Sequence, residues 1–284
     1  MLFPQICSLA LAVALISPAL SLSLPKYKGL KTSLNSSILR VTFHNPSSPV
    51  NLWDKDTQDD LTDLVFRLQK DDSTKVVIFN SDVPRFFVAH LDLTLPSLAE
   101  PGFIKSFGTL MYNISTLRQV TIGAVEGRAR GAGNELLVAL DMLFATKTDT
   151  VFGQPEVGSG LFPGGGGSQY LPGLIGRGLA MEYILSSMDI TAGDAENIGW
   201  INKAFDTSSE FLFPLTALHG AKKSINRASA PSLDHVVADA RDFYKQQSDP
   251  LARKIANQSA ALVAKVPVVE LELNLGDTIP LLYT

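Results

Sequence analysis

A single cysteine, Cys7, occurs in 284 residues, so no intramolecular disulfide can form and a thiolate-rich metal centre is excluded. The four histidines, His44, His90, His219 and His235, make no HExxH-type pair, so no metal site is expected. Lys and Arg are scattered without a basic stripe and the net charge is -4, which argues against nucleic acid as a partner. No GxSxG elbow is present for a serine nucleophile. Charged residues make up only 18% and apolar residues 45%, the balance of a globular chain long enough to bury a substantial core.

Charge is missing altogether from the first 23 residues, MLFPQICSLALAVALISPALSLS, whose apolar run ends in small residues. This reads as a secretory signal peptide over 1–23, although no Lys or Arg precedes the run. The alternative is an intracellular protein with an uncleaved apolar leader. No other stretch approaches the roughly 20 apolar residues that span a bilayer, so no stable membrane span is expected after processing. Three sequons, at Asn35, Asn113 and Asn257, become candidate glycosylation sites only in the secretory pathway.

Beyond the leader, short apolar strands alternate with helical patterns. Strands are predicted over 38–43, 76–80, 86–89, 120–127 and 150–153, and helices over 54–70, 103–117 and 134–145. From residue 177 onward the pattern is mainly helical, with Thr191 as a helix cap and a short strand in INKAF. The expected architecture is an α/β core over 24–205 followed by a C-terminal helical region over 206–284.

Two glycine-rich stretches carry acidic residues. GQPEVGSGLFPGGGGSQYL, residues 153–171, lacks the Lys of a P-loop and does not follow a strand directly as a dinucleotide fingerprint would. Its glycines are therefore expected to shape backbone around Glu156 rather than hold phosphate. GRARGAGNELL, residues 127–137, runs from a strand into a helix whose first N–H groups can face a developing oxyanion, with Glu135 in the first turn. Glu135 alone could simply complement the helix dipole. Paired with Glu156, it could divide general acid and base work, but spacing alone does not show that the two meet. Asp141 is expected on the same helical face as Glu135, as a hydrogen bonder at the core edge. His90 could be structural or could line the pocket.

FFVAHLDL (86–93), AVEGRARGAGNELLVALDMLFA (124–145) and FGQPEVGSGLFPGGGGSQYLPGLIGRGLAMEYILSS (152–187), in that order, resemble the crotonase superfamily of enoyl-CoA hydratases and isomerases. The resemblance implies a crotonase-like spiral of ββα units with a C-terminal helical trimerisation region, assembled as a homotrimer or hexamer. It implies an acyl-CoA thioester substrate and no separate cofactor, since CoA enters as part of the substrate. By motif position the oxyanion hole would be the N–H groups of Leu91 and Ala132. Glu135 matches the glutamate that activates water and Glu156 the one that protonates C2. Ala89, His90, Asp92, Gly133, Pro155 and Gly164 would line the substrate pocket. His90 stands where the family commonly has glycine, and the leader is also unusual for it. Because isomerases of the family commonly retain only the glutamate matching Glu156, the resemblance favours a hydratase that adds or removes water across an α,β-unsaturated thioester. A Δ3,Δ2-enoyl-CoA isomerase and a non-catalytic binding protein of the secretory pathway are the alternatives.

Overall fold

The computed structural model describes residues 22–206, 222, 225, 226 and 229–283. The expected signal peptide lies outside these residues except for Leu22 and Ser23. An antiparallel hairpin, β1 (Leu30–Asn35) and β2 (Ile38–Phe43), opens the fold and leads through α1 (Lys55–Leu68). Three strand pairs follow. They are β3 (Val76–Ser81) with β4 (Phe86–Val88), β5 (Val120–Val125) with β6 (Arg128–Arg130), and β7 (Met142–Thr146) with β8 (Val151–Gly153). Each pair is followed by a helix: α2 (Pro101–Ser115), α3 (Ala132–Val138) and α4 (Gly167–Ser186) respectively. After α4 come β9 (Ile190–Thr191), α5 (Ala192–Ile198) and β10 (Lys203–Phe205).

The first strand of each pair joins a six-stranded sheet, β1-β2-β3-β5-β7-β10, and the second joins a four-stranded sheet, β4-β6-β8-β9. The chain therefore winds as a spiral of ββα units, and within each sheet the repeated strands run parallel. This is the crotonase-type α/β fold that the motifs implied. Parallel strands need a crossover, and the helices between pairs supply it while covering the sheet.

α1 begins at Asp54, whose carboxylate accepts from Thr57 N at 2.8 Å, and buries Leu61, Leu64, Val65 and Leu68 at helical spacing. Phe43, Trp53, Phe79, Phe87 and Phe107 interlock beneath it with tilted and edge-on rings. Thr191 caps α5 as expected, accepting from Asp194 N. Among the described residues, α6 (Leu233–Gln246), α7 (Pro250–Val263), α8 (Val268–Leu273) and α9 (Leu275–Thr278) follow, with a 3-10 turn over Ile279–Tyr283. α6 lies along α2 and buries Val236, Ala240 and Phe243 in the main core, while α8 packs on Val50, Phe86 and Ala89.

The helix expected over 134–145 is a correction. It ends at Val138, and residues 142–146 form β7. Asp141 causes the switch: its N–H donates to the Thr121 carbonyl at 3.1 Å, and its carboxylate accepts from Thr121 N at 2.7 Å and Thr121 Oγ1 at 2.9 Å. Those bonds pin the chain alongside β5, where alternate residues of β7 are buried, and strand pairing overrides helix propensity. Asp141 is thus a hydrogen bonder at the core edge, but it does not share a helix with Glu135.

Leu61 is wholly buried against this core. Leu61→Ala is expected to cost about 2–5 kcal/mol of stability, read as a lower urea midpoint with an unchanged slope.

Candidate active site

Glu135 enters the site from the first turn of α3. Gly131, at φ 48°, turns the chain out of β6 so that Glu135 N donates back to the Gly131 carbonyl at 2.8 Å. The side chain is buried, and its Oε1 accepts from Gly165 N at 2.7 Å and Gly167 N at 3.0 Å. The glycine run after Pro163 therefore holds a carboxylate of the protein itself. A Cβ on Gly165 would stand 2.3 Å from the Phe107 ring and 3.0 Å from Glu135 Cδ, so only glycine brings that N–H close enough.

Glu156 arrives from the other side, after β8, at the start of a 3-10 turn over Val157–Ser159. Its Oε2 accepts from Gln154 Nε2 at 3.0 Å, and its Oε1 stands 2.9 Å from where Gly131 would carry a Cβ. The carboxylates that spacing left apart are electrostatic neighbours. Burial, and then the Glu156 charge, push Glu135 well above the usual carboxylate range despite its two backbone donors. Burial likewise lifts Glu156 to about 7, against the amide of Gln154 and the positive charge of His90. The two titrate as a unit, and burial holds both above the usual carboxylate range. A third carboxylate, Asp239 of α6, adds to the field at Glu135 and is itself lifted by burial to about 6.

Two backbone N–H groups stand beside this pair. Trp53 N donates to the His90 carbonyl and Asp92 N to the Trp53 carbonyl, which leaves the intervening Leu91 N–H unused. Ala132 is the first residue of α3, so its N–H has no acceptor within the helix. Gly133 lies so near the end of β4 that a Cβ there would stand 2.3 Å from the Val88 carbonyl oxygen, and this contact brings the two donor segments together. Among the described residues neither N–H has an intramolecular acceptor.

His90 engages both ring nitrogens, Nδ1 with the Leu91 carbonyl at 2.7 Å and Nε2 with Glu272 Oε1 at 2.7 Å. Burial would depress the imidazole, but the Glu272 charge and hydrogen bond outweigh it and raise it to about 9. His90 is thus a cation at neutral pH that ties its loop to α8 while its Cβ adjoins the wall of Gly131 and Glu156. Glu272 also accepts at its backbone carbonyl from Arg130 Nη1 at 2.7 Å, and Arg130 makes a two-pronged pair with Asp189.

The profile described as enoyl-CoA hydratase/isomerase matches residues 33–265. The chain belongs to the enoyl-CoA hydratase/isomerase family. It is 33% identical over 169 residues to the crotonyl-CoA hydratase of Syntrophomonas wolfei, a match covering 58% of this chain and 65%, just under two thirds, of that relative. It is 30% identical over 215 residues to the short-chain-enoyl-CoA hydratase of Clostridium acetobutylicum, covering 70% and 81% of the two chains. Among solved structures, a Streptomyces avermitilis protein assigned as an enoyl-CoA hydratase aligns with a TM-score of 0.82 at 34% identity, over 91% of this chain and 99% of that one.

The other positions marked by likeness to the enoyl-CoA hydratase/isomerase family fall as follows. Ala89 is buried with Val50 and Phe86, and Asp92 Oδ1 accepts from Thr94 N and Oγ1 within its own turn. Pro155 is buried next to Glu156, and Gly164 is buried against Ile104 and Phe243. Of the sequon asparagines, Asn35 and Asn257 are exposed, whereas Asn113 is half-buried in α2 with its Ser115 hydroxyl accepting from Tyr170. No cluster of metal-ligating side chains occurs among the described residues. Sequence reasoning missed Asn134, Gln154 and Glu272, whose amides and carboxylate sit in no motif of their own. The one available signal was the place of Asn134 beside Glu135 and of Gln154 two residues before Glu156.

Because folding raises Glu156 above its ordinary value of 4.5, its contribution to native stability is full below that value and is lost as pH rises through about 7. Glu156→Gln, neutral at every pH, should therefore exceed the parent by about 1–3 kcal/mol at pH 8 and show no excess at pH 4 in urea titrations.

Proposed function

We propose that the protein is an enoyl-CoA hydratase, adding water across the α,β double bond of an acyl-CoA thioester and catalysing the reverse elimination. The observation that carries this reading is the meeting of the buried Glu135 and the half-buried Glu156 as electrostatic neighbours beside two unused N–H groups. In the forward direction, starting from the tautomer of the pair with Glu135 ionised and Glu156 protonated, Glu135 takes a proton from water as the water oxygen bonds to C3. The π electrons move to the thioester oxygen, and the N–H groups of Leu91 and Ala132 hold the resulting enolate charge. Glu156 gives its proton to C2, the enolate collapses to the saturated thioester, and a proton returns from Glu135 to Glu156 to reset the pair. No electrons leave the substrate, so the reading calls for no cofactor beyond the CoA that the substrate carries.

A double-bond isomerase would need only Glu156 to move a proton between carbons. The two backbone donors that the glycine run spends on Glu135 support a working role for the second carboxylate instead. The exposed Met181, Leu185 and Met188 support self-association through α4 and the turn after it, in line with a trimer or a dimer of trimers. The apolar leader and the sequons support a place in the secretory pathway.

Glu135→Gln and Glu156→Gln should each lower hydration of crotonyl-CoA at least about 100-fold while circular dichroism stays native. Undiminished hydration in either variant overturns the assignment, and an isomerase would keep its activity in Glu135→Gln. Sedimentation velocity should give a trimer or hexamer of the purified chain, and a monomer at micromolar concentration would refute the assembly.

A further inference from the structure

A chain of three hydrogen bonds, the first two buried, ends on Glu156. Trp200, between α5 and β10, donates from its indole Nε1 to Asn134 Oδ1 at 3.1 Å. Asn134 Nδ2 donates to Gln154 Oε1 at 2.6 Å, and Gln154 Nε2 donates to Glu156 Oε2 at 3.0 Å. Trp200, Asn134 and Gln154 are each wholly buried, so water does not compete for the two bonds among them.

The chemistry of the first member sets the direction of all the rest. An amide can present either end, and its oxygen and nitrogen exchange by a simple flip, but an indole N–H can only donate. Asn134 must therefore turn its oxygen to Trp200 and its nitrogen to Gln154. Gln154 in turn must offer its nitrogen to Glu156. The final consequence is that Oε2 of Glu156 is an obligatory acceptor, so a proton on this carboxyl sits on Oε1. That oxygen faces Gly131, the residue before the Ala132 N–H, and this is the side on which an enolate held by that N–H would place its C2.

We propose that Trp200 is a positioning residue for proton transfer, its indole N–H dictating through Asn134 and Gln154 which oxygen of Glu156 carries the proton. The assignment of that proton to C2 rests on the hydratase reading; the orientation of the chain of amides does not. When Glu156 is ionised its carboxylate also demands a donor from Gln154, but when Glu156 is protonated the indole N–H alone fixes the polarity of the chain. Loss of the indole N–H frees Asn134 and Gln154 to flip together in the protonated state, which would present Gln154 Oε1 to Glu156 Oε2 and draw the proton onto the wrong oxygen.

Trp200→Phe is the test, since it keeps an aromatic ring on the side of Tyr183, whose ring meets Trp200 edge-on at 5.5 Å between centroids, and deletes the donor together with part of the ring volume. The Glu156 carboxyl, followed by carbon NMR in glutamate-labelled protein without substrate, should titrate at least about half a pH unit higher than in the parent, because the protonated form gains an acceptor once the amides can flip. With crotonyl-CoA, kcat should fall about tenfold with KM unchanged, and the alkaline limb of kcat should move up by the same half unit or so. Asn134→Leu breaks the chain one link further on, and Trp200→Phe added to it should shift the titration no further. A Trp200→Phe protein with a lower melting temperature but an unmoved Glu156 titration overturns the proposal, as do additive shifts in the double variant. If the parent does not hydrate crotonyl-CoA, the functional reading fails while the NMR titration still decides the role of Trp200.

Discussion

Glu135, buried, and Glu156, half-buried beside it, cannot both be ionised without a desolvation and repulsion cost, and the arrangement of the chain around them answers that constraint. Each comes from a separate ββα unit, so their meeting is a property of the spiral and not of either motif. The parallel strands β6 and β8 deliver both in register, with Arg130 opposite Gly153 just ahead of Gly131 and Gln154. Partial compensation is also local. Gly165 and Gly167 give Glu135 two fixed donors, and Gln154 gives Glu156 one. These soften the burial without cancelling it, and both carboxyls stay above the ordinary carboxylate range.

The C-terminal region enters this electrostatic design through one residue. Glu272 of α8 binds His90 with its carboxylate and Arg130 with its carbonyl. His90 directly precedes Leu91, and Arg130 comes two residues before Ala132. The segments that carry the two unused N–H groups are therefore fastened to the same point of α8, and the cation at His90 sits where it lowers the cost of a charge on Glu156. Replacing the small residue common in the family by His90 does not open the pocket. It exchanges backbone freedom for a strut between the first half of the chain and its end.

Much of the core was legible because its signals are local. Alternating apolar residues marked β2 and β5, helical spacing marked α1, and Thr191 before Asp194 marked the start of α5. Residues 134–145 were misread because LLVALDMLFA satisfies a helical period, while the bonds from Asp141 to Thr121 that end the helix join residues 20 apart. The three-residue β6 is too short for any period to reveal. At the site, Glu135 and Glu156 stood out because each lies in a glycine-rich stretch. The partners that tune them did not. The link from Trp200 to Asn134 spans 66 residues and that from His90 to Glu272 spans 182, and neither separation leaves a pattern in the chain.

The apolar core and the polar site are joined at Phe107. Its ring meets Trp53 edge-on at 5.2 Å within the aromatic cluster, and its other side lies against Gly165, whose N–H is bonded to Glu135. Packing is stiff on the scale of a methyl group, so the position of this ring fixes how far the glycine run can advance toward the carboxylate. A smaller side chain at 107 would let the run relax away from Glu135, weakening the donors that moderate its burial. A larger residue at 165 would meet the ring before its N–H reached the carboxylate. Hydrophobic packing thus sets the hydrogen-bond distances, and those distances set the proton affinity of the pair. The four glycines serve this transmission, since they are the only residues thin enough to pass between an aromatic core and a buried charge.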